Sequence, residues 1–296
     1  MSKLAVVILA AGQGTRMRSQ LPKVLHTIAG RPMIQYVLDT VAELGVAKPV
    51  LVVGYGADQV RQKLSDAVTY VLQEQQLGTG HAVLQAREKL EGDADTVLVL
   101  YGDMPLLSST TLHSLVHAHK EHMTPITMLT CIHDDAMGFG RIIRDEEGHV
   151  LAIVEESQAT PEQLAIKELN CGIYCFQAAW LWEHIPRLPL SPKGEYYLTD
   201  LVGMAVAEGH AVEAIVVDDP LETLGVNNRL HLAQVEGVVR QRIREELMHS
   251  GVTIIDPTST YVDATVNVGQ DTTPVSYTHL RAHETRHDLV CRLLLE

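Results

Sequence analysis

The residues with the clearest chemical potential lie near the amino terminus, in LAAGQGTRMRSQLPK (residues 9–23). An apolar run feeds a loop holding Gly12, Gly14, Thr15 and Arg16, followed by a spacer and Pro22-Lys23. Glycines let backbone N–H groups close on an anion, and successive N–H groups form a concave anion site. Arg16 adds a fork of donors for phosphate oxygens, and Lys23 adds a point charge. A dinucleotide loop needs a third glycine where Met17 stands, and a P-loop needs Gly-Lys-Ser/Thr, which is absent. An ordinary strand-to-helix turn explains Gly12 and Gly14 but not the Arg and the Lys. A second stretch, LVLYGDMPLL, puts Asp103 just past a buried strand. Ligands of open α/β sheets gather at that strand end. A lone Asp there is also a common turn or cap residue. Beside a phosphate loop it reads as a ligand for Mg2+, which takes one or two protein oxygens plus waters and substrate phosphates.

A third pattern is rejected. AHETRHDL places His283, Glu284 and His287 in H-E-x-x-H, the pattern of zinc proteases. A zinc site needs three protein ligands, and the few residues after His287 offer only Asp288 and Glu296 as acids. Residues 274–296 also lose the six-residue beat that precedes them. They are expected to be a non-native tail of the adapter read-through kind, outside the fold. The cysteines Cys131, Cys171, Cys175 and Cys291 have neither zinc-finger spacing nor a disulfide framework. Cys171 and Cys175 are expected on one strand face as core thiols.

The elements that must hold these residues alternate. LAVVILA (4–10), PVLVVG (49–54), TYVLQ (69–73), DTVLVLYGD (95–103) and ITMLTCI (126–132) read as strands. Residues 33–45, 80–90 and about 109–119 read as helices. This β-α-β-α rhythm predicts a mostly parallel sheet covered on both sides. From residue 138 the rhythm changes to a hairpin (GRIIRDEEGHVLAIVEE), a strand (LNCGIYCF), a helix (EYYLTDLVGMAVAEG) and a strand (AVEAIVVDD). This part, 138–226, is expected to elaborate the same domain into one wall of a cleft. Residues 229–249 read as a charged amphipathic helix, a connecting arm. YVDATVNVGQDTT then hints at hexapeptide repeats of a parallel β-helix, as if a second domain were beginning.

Gross properties narrow the classes. The 296 residues suffice for one large or two ordinary domains, and 46% hydrophobic with 20% charged residues is globular. A net charge of −14 and a pI of about 5.5 argue against nucleic-acid or anionic-membrane partners, but not against small phosphorylated ligands. With neither a signal peptide nor a membrane-spanning run, a cytoplasmic protein is expected.

Together the two chemical stretches resemble the sugar-nucleotide pyrophosphorylase family, with its G-x-G-T-R…P-K signature and a G-D at a strand end. QEQQLGTGHA, GFGRI, IVEE, LNCGIY, GEYYLTD and GVNNR, in that order, resemble N-acetylglucosamine-1-phosphate uridyltransferases, the first part of a bifunctional bacterial enzyme. The resemblance covers about residues 4–273. It implies a Rossmann-like α/β nucleotidyltransferase domain with a mixed, mostly parallel sheet over 1–227. A helical linker follows over 228–250, and the first rungs of a left-handed β-helix acyltransferase domain over 251–273. It implies UTP and N-acetylglucosamine 1-phosphate as substrates and Mg2+ as cofactor. Peptidoglycan and lipopolysaccharide precursors would draw on the product, and no acetyltransferase activity is expected of this length of chain. The family is homotrimeric through its β-helix, so this chain is expected to be monomeric or weakly associated.

The resemblance also assigns residues. Leu9, Ala10, Ala11, Gly12, Gln73, Gly78 and Thr79 would read the uracil and its nucleoside. Tyr101, Gly102, Gly140, Glu155, Asn170, Tyr197 and Thr199 would line the sugar side. Asp103 and Asn227 would hold Mg2+, and Arg16 and Lys23 would grip the triphosphate. Cys171 departs from the family pattern, which has Thr. The side chains themselves leave alternatives open. Gln73 offers a donor and an acceptor for a uracil edge. Thr79 is equally an N-cap for the 80–90 helix. Glu155 is equally a solvated surface acid, and Asn170 a turn residue. Tyr197 is equally core, Thr199 a cap, and Asn227 the cap of the 229–249 helix.

Overall fold

The computed structural model describes residues 3–136, 138–275 and 278–281. His283, Glu284, His287 and Cys291 lie outside the described residues.

Strand β1 (Leu4–Ala10) leads into 3-10 turns at Thr15–Met17 and Lys23–Leu25, then a two-residue hairpin of β2 (Thr27–Ile28) and β3 (Arg31–Pro32). Helix α1 (Met33–Glu43) buries Met33, Ile34, Val37, Leu38 and Val41, the stripe its helical spacing predicts. Strand β4 (Val50–Val53), helix α2 (Ala57–Leu64) and strand β5 (Thr69–Leu72) follow, then helices α3 (Thr79–Leu84) and α4 (Arg87–Leu90). The helix expected over 80–90 is therefore broken after Leu84, where Gln85 and Ala86 donate to Ala82 and Val83 in tighter three-residue steps. Strand β6 (Thr96–Tyr101), helix α5 (Ser109–His122) and strand β7 (Ile126–Ile132) complete the alternating part.

The expected hairpin is β8 (Arg141–Arg144) with β9 (Val150–Val154), paired antiparallel. Next come α6 (Pro161–Leu164), β10 (Glu168–Gln177), α7 (Ala178–His184), α8 (Asp200–Ala207) and β11 (Val212–Val216). The helix expected from Glu195 begins only at Asp200. Residues ahead of it run alongside another loop, with Tyr196 N donating to Leu77 O (2.8 Å) and Gly80 N to Tyr196 O (2.9 Å). Those backbone groups are thereby withdrawn from helix formation.

The main sheet runs β11-β7-β10-β6-β1-β4-β5, with β8 on β10 and β9 on β8. β1 pairs in parallel with β4 and β6, β4 with β5, and β7 with β11, while β10 runs antiparallel between β6 and β7. The sheet is thus mixed and mostly parallel, as expected. Alternate residues of β1 serve two cores. Val6 and Ile8 join a cluster with α1 and α5, and Val7 and Leu9 join one with Trp180, Trp182 and Leu201 of α7 and α8. Covering on both faces explains why β1 is apolar throughout. Cys171 and Cys175 are both buried in the first cluster, as is Cys131.

Helix α9 (Arg229–His249) lies against the domain. Glu236 accepts from Ala29 N (2.9 Å), and Arg242 donates to Leu106 O (3.1 Å). Beyond it, β12 (Tyr261–Val262) pairs in parallel with β13 (His279–Leu280). β13 falls inside 274–296, the stretch set aside on its composition, and its two residues are nonetheless paired.

Candidate active site

The apolar run of β1 ends at Ala10, and the chain then opens into the glycine loop at the carboxyl edge of the parallel strands. Two cavities meet there. The first, of about 350 Å³, is walled by Leu9, Ala10, Ala11 and Gly12 from the end of β1, Gln73 from the end of β5, and Gly78 beside α3. The second, of about 300 Å³, is walled by Gly140, Glu155, Asn170 and Thr199. Thr79, Tyr101, Asp103, Tyr197 and Asn227 line both. The residues expected at the nucleoside thus sit in one cavity and most of those expected at the sugar in the other.

The shared wall carries the charges. Lys23 donates from Nζ to the Asp103 carboxylate. Arg16 Nη2 donates to Asn227 Oδ1 (3.0 Å). Val226 N donates to Asp103 O (2.9 Å), which keeps the segment before α9 beside Asp103 although the two are far apart in the chain. Asn228, not Asn227, caps α9, accepting from His231 N at 2.9 Å, so Asn227 is left to face the cavities. Arg16 itself lines neither cavity and reaches them through Asn227. Gly102 also lines neither. It is buried, and a Cβ there would meet Ile34 Cδ1 at 2.8 Å, so it is a packing residue that lets Asp103 follow β6 closely.

In the first cavity Gln73 is 3% exposed, and its Nε2 contacts Gly78 O (3.1 Å) and His81 Nδ1 (3.0 Å). Its two amide donors are thus engaged inside the protein, and its carbonyl oxygen is the group it can offer a ligand. Gly78 has φ +97°, and a Cβ there would lie 2.6 Å from Tyr196 O. The N-cap position of α3 is this glycine rather than Thr79, and Thr79 Oγ1 accepts from Leu198 N (3.0 Å) across the shared wall.

In the second cavity Asn170 is 7% exposed and lies within β10, not in a turn. Asn170 still pairs with Thr130, and the register shifts in a bulge between it and Tyr174. Asn170 Oδ1 accepts from Gly172 N (3.0 Å) and from the Tyr174 hydroxyl (2.9 Å), leaving its NH2 for a ligand. Gly172 has φ +77°, and a Cβ would lie 2.7 Å from Cε2 of the Tyr101 ring. Thr199 does not cap α8 with its side chain; its hydroxyl donates to Glu155 Oε1 (3.2 Å). Burial pushes the Glu155 carboxyl above its ordinary value, against the Thr199 hydrogen bond. Burial likewise raises the Tyr101 phenol, with the charges of Asp103 and Glu155 adding to it, so Tyr101 is a neutral wall and hydrogen-bond donor.

Asp103 and Asn227 supply an anionic and a neutral oxygen on the shared wall, each now bonded to a protein cation, a donor set that fits a hard divalent ion. Another group with metal-ligating atoms close together among the described residues, Asp145, Glu147 and His149, lies in the β8–β9 turn and lines neither cavity.

The sequence reading missed several lining residues. Gln76 and Glu195 in the first cavity, and Gly172 in the second, lie inside motifs that had been noticed. Phe139 likewise lies inside GFGRI, whereas Ser157, in a 3-10 turn just after β9, and Lys193, in the loop ahead of α8, left no periodic or spacing signal.

The chain resembles known proteins along most of its length. It is 50% identical over 276 residues to the bifunctional protein GlmU of Pelotomaculum thermopropionicum, covering 93% of this chain and 60% of that protein. It is 49% identical over 286 residues to GlmU of Brevibacillus brevis, covering 96% of this chain and 62% of that protein. The chain therefore spans about three-fifths of the length of these relatives. Among solved structures, a CMP:2-keto-3-deoxy-manno-octonic acid synthetase complexed with CTP matches with a TM-score of 0.63 at 21% identity, over 81% of this chain and 100% of that one. A putative glucose-1-phosphate thymidylyltransferase from Bacillus anthracis matches with a TM-score of 0.65 at 18% identity, over 79% and 94%. These two establish the fold. Among the described residues no helix is long and apolar enough to cross a membrane. The model of the MobA-like NTP transferase domain matches residues 6–173, more than half of the chain and the part that builds the glycine loop, Lys23, Gln73, Asp103 and Asn170, and to that family this chain belongs.

Proposed function

We propose that the protein transfers the uridylyl group of UTP to N-acetylglucosamine 1-phosphate, giving UDP-N-acetylglucosamine, a cell-wall precursor, and pyrophosphate. The observation that carries this reading is the pair of cavities with Asp103 and Asn227 on their common wall, Lys23 bonded to the one and Arg16 to the other. Such a wall suits a reaction that joins one phosphorylated ligand from each side. The Gln73 carbonyl can accept from the ring N3–H of uracil, a position at which cytosine has an acceptor and offers a donor only from its exocyclic amine. Asn170 NH2 and Glu155 suit sugar hydroxyls, one donating and the other accepting.

In the proposed reaction an oxygen of the sugar phosphate attacks the α-phosphorus of UTP. The new P–O bond forms opposite the bond to pyrophosphate, which breaks with its electron pair. The second pKa of a phosphate monoester is about 6, so the nucleophile is already an anion at neutral pH and needs no general base. The chain acts by positioning and by placing charge. Lys23 and Arg16 offset the charge growing on pyrophosphate. Tyr101 and Tyr197, on the common wall, keep the two ligands in register. Asp103 and Asn227 would hold Mg2+, which when bound supplies positive charge to the phosphoryl oxygens.

The test is pyrophosphate release from UTP and N-acetylglucosamine 1-phosphate, with and without Mg2+, beside a panel containing dTTP and glucose 1-phosphate. The expected result is Mg2+-dependent release, greatest with the UTP pair. Asp103→Ala is expected to abolish turnover while keeping the circular-dichroism spectrum of the wild type. Near-wild-type turnover by that variant in Mg2+ would refute the metal role.

A further inference from the structure

Lys193 lines the second cavity from the loop ahead of α8. Among the described residues lining that cavity it is the only basic one, whereas Asp103 and Glu155 are acidic. Lys23 is bonded to Asp103 on the first cavity's side, and Arg16 is bonded to Asn227 and lines neither cavity. A phosphate dianion that enters the second cavity past two carboxylates is repelled unless a cation offsets it. Lys193 Nζ donates to the neutral Ser157 hydroxyl at 3.0 Å. An ammonium has three donors, so this contact holds the group in place and leaves two for an anion. Ser157 follows β9 and Lys193 precedes α8, and the same two loops are joined by Thr199 and Glu155. The ammonium of this exposed side chain is thus tied to another lining residue of the same cavity.

Resting on the two-substrate reading above, we infer that Lys193 recognises the phosphate of the acceptor sugar and makes the second cavity select a phosphorylated sugar over a neutral one. Ser157 orients it. Lys193 takes no part in nucleotide binding, since it does not line the first cavity.

The experiment compares wild type, Lys193→Gln and Lys193→Arg. Steady-state kinetics are measured with each substrate varied, and N-acetylglucosamine without phosphate serves as a competitor of the sugar phosphate. Lys193→Gln is expected to raise KM for N-acetylglucosamine 1-phosphate about tenfold, the scale of one charge-assisted hydrogen bond, with KM for UTP and the inhibition constant of the neutral sugar unchanged. Lys193→Arg is expected to restore most of the loss. Calorimetric titration of the sugar phosphate into wild type and Lys193→Gln is expected to show the same ratio. An unchanged KM, or equal weakening of the neutral sugar and its phosphate, overturns the inference and leaves the proposed reaction standing. A wild type that neither turns over nor binds the sugar phosphate overturns both.

Discussion

At the residue scale, the glycine loop, Arg16, Lys23 and Asp103 were legible because their types are rare in that combination and each has one obvious chemistry. What they bond to was not legible. The pairing of Lys23 with Asp103, and of Arg16 with Asn227, joins residues 80 and 211 positions apart in the chain. Glu155 shows how burial changes a residue whose type suggests only a solvated acid. Its carboxyl is raised in the folded state, so through that window the folded protein binds more protons than the unfolded chain. Stability contributed at this site is therefore highest below the ordinary carboxylate value and falls as pH rises through the elevated one. Glu155→Gln is expected to weaken N-acetylglucosamine 1-phosphate binding and to remove that loss. Urea midpoints measured from acid to neutral pH check this, the variant gaining stability relative to the wild type as pH rises through the elevated value. A difference between the two that does not grow with pH contradicts it.

At the element scale, the bulge in β10 decides the shape of the second cavity. It follows directly on Asn170 and has a left-handed backbone at Gly172, over which the Tyr101 ring lies. Gly172→Ala adds a strained φ and a clash with that ring, and is expected to cost on the order of 1–3 kcal/mol. It should also raise KM for the sugar phosphate more than KM for UTP. Thermal melts and steady-state kinetics give the two readings. Tyr174→Phe removes a donor from the buried Asn170 carbonyl and is expected to cost about 1 kcal/mol, with a smaller effect in the same direction on the sugar side. Gly172 was visible in LNCGIY, but nothing local marked the bulge, since β10 is a nearly continuous run of buried residues. The helix starts at Gly78 and Asn228, rather than at Thr79 and Asn227, show the same limit. A cap can sit at either of two adjacent positions until the partner loop claims one of them.

At the scale of the whole molecule, stability against acid depends on groups far from the cavities. His119, on α5, is 5% exposed and shares a hydrogen bond with Thr127 of β7 (2.9 Å). Burial, helped by the charge of Lys120, lowers its pKa from 6.5 to about 4. The unfolded chain therefore binds the proton more readily between those values. The stabilisation is complete above about pH 6.5 and is lost as pH falls towards 4, by about 3 kcal/mol. His119→Asn keeps a partner for Thr127 and is expected to flatten the fall in denaturation midpoint over that range without altering kinetics at neutral pH. The order of strands and helices, the covered sheet and the glycine loop at the end of β1 were determined by the sequence itself. Apolar periodicity and glycine placement are local properties that survive without tertiary context. Which residues share a cavity, that Asn227 stands beside Asp103, that Lys193 is the basic residue lining the second cavity among the described residues and that Gln73 offers its carbonyl were decided by the tertiary structure alone. Those facts depend on loops brought together by the sheet from distant parts of the chain, and distance along a sequence carries no record of distance in space.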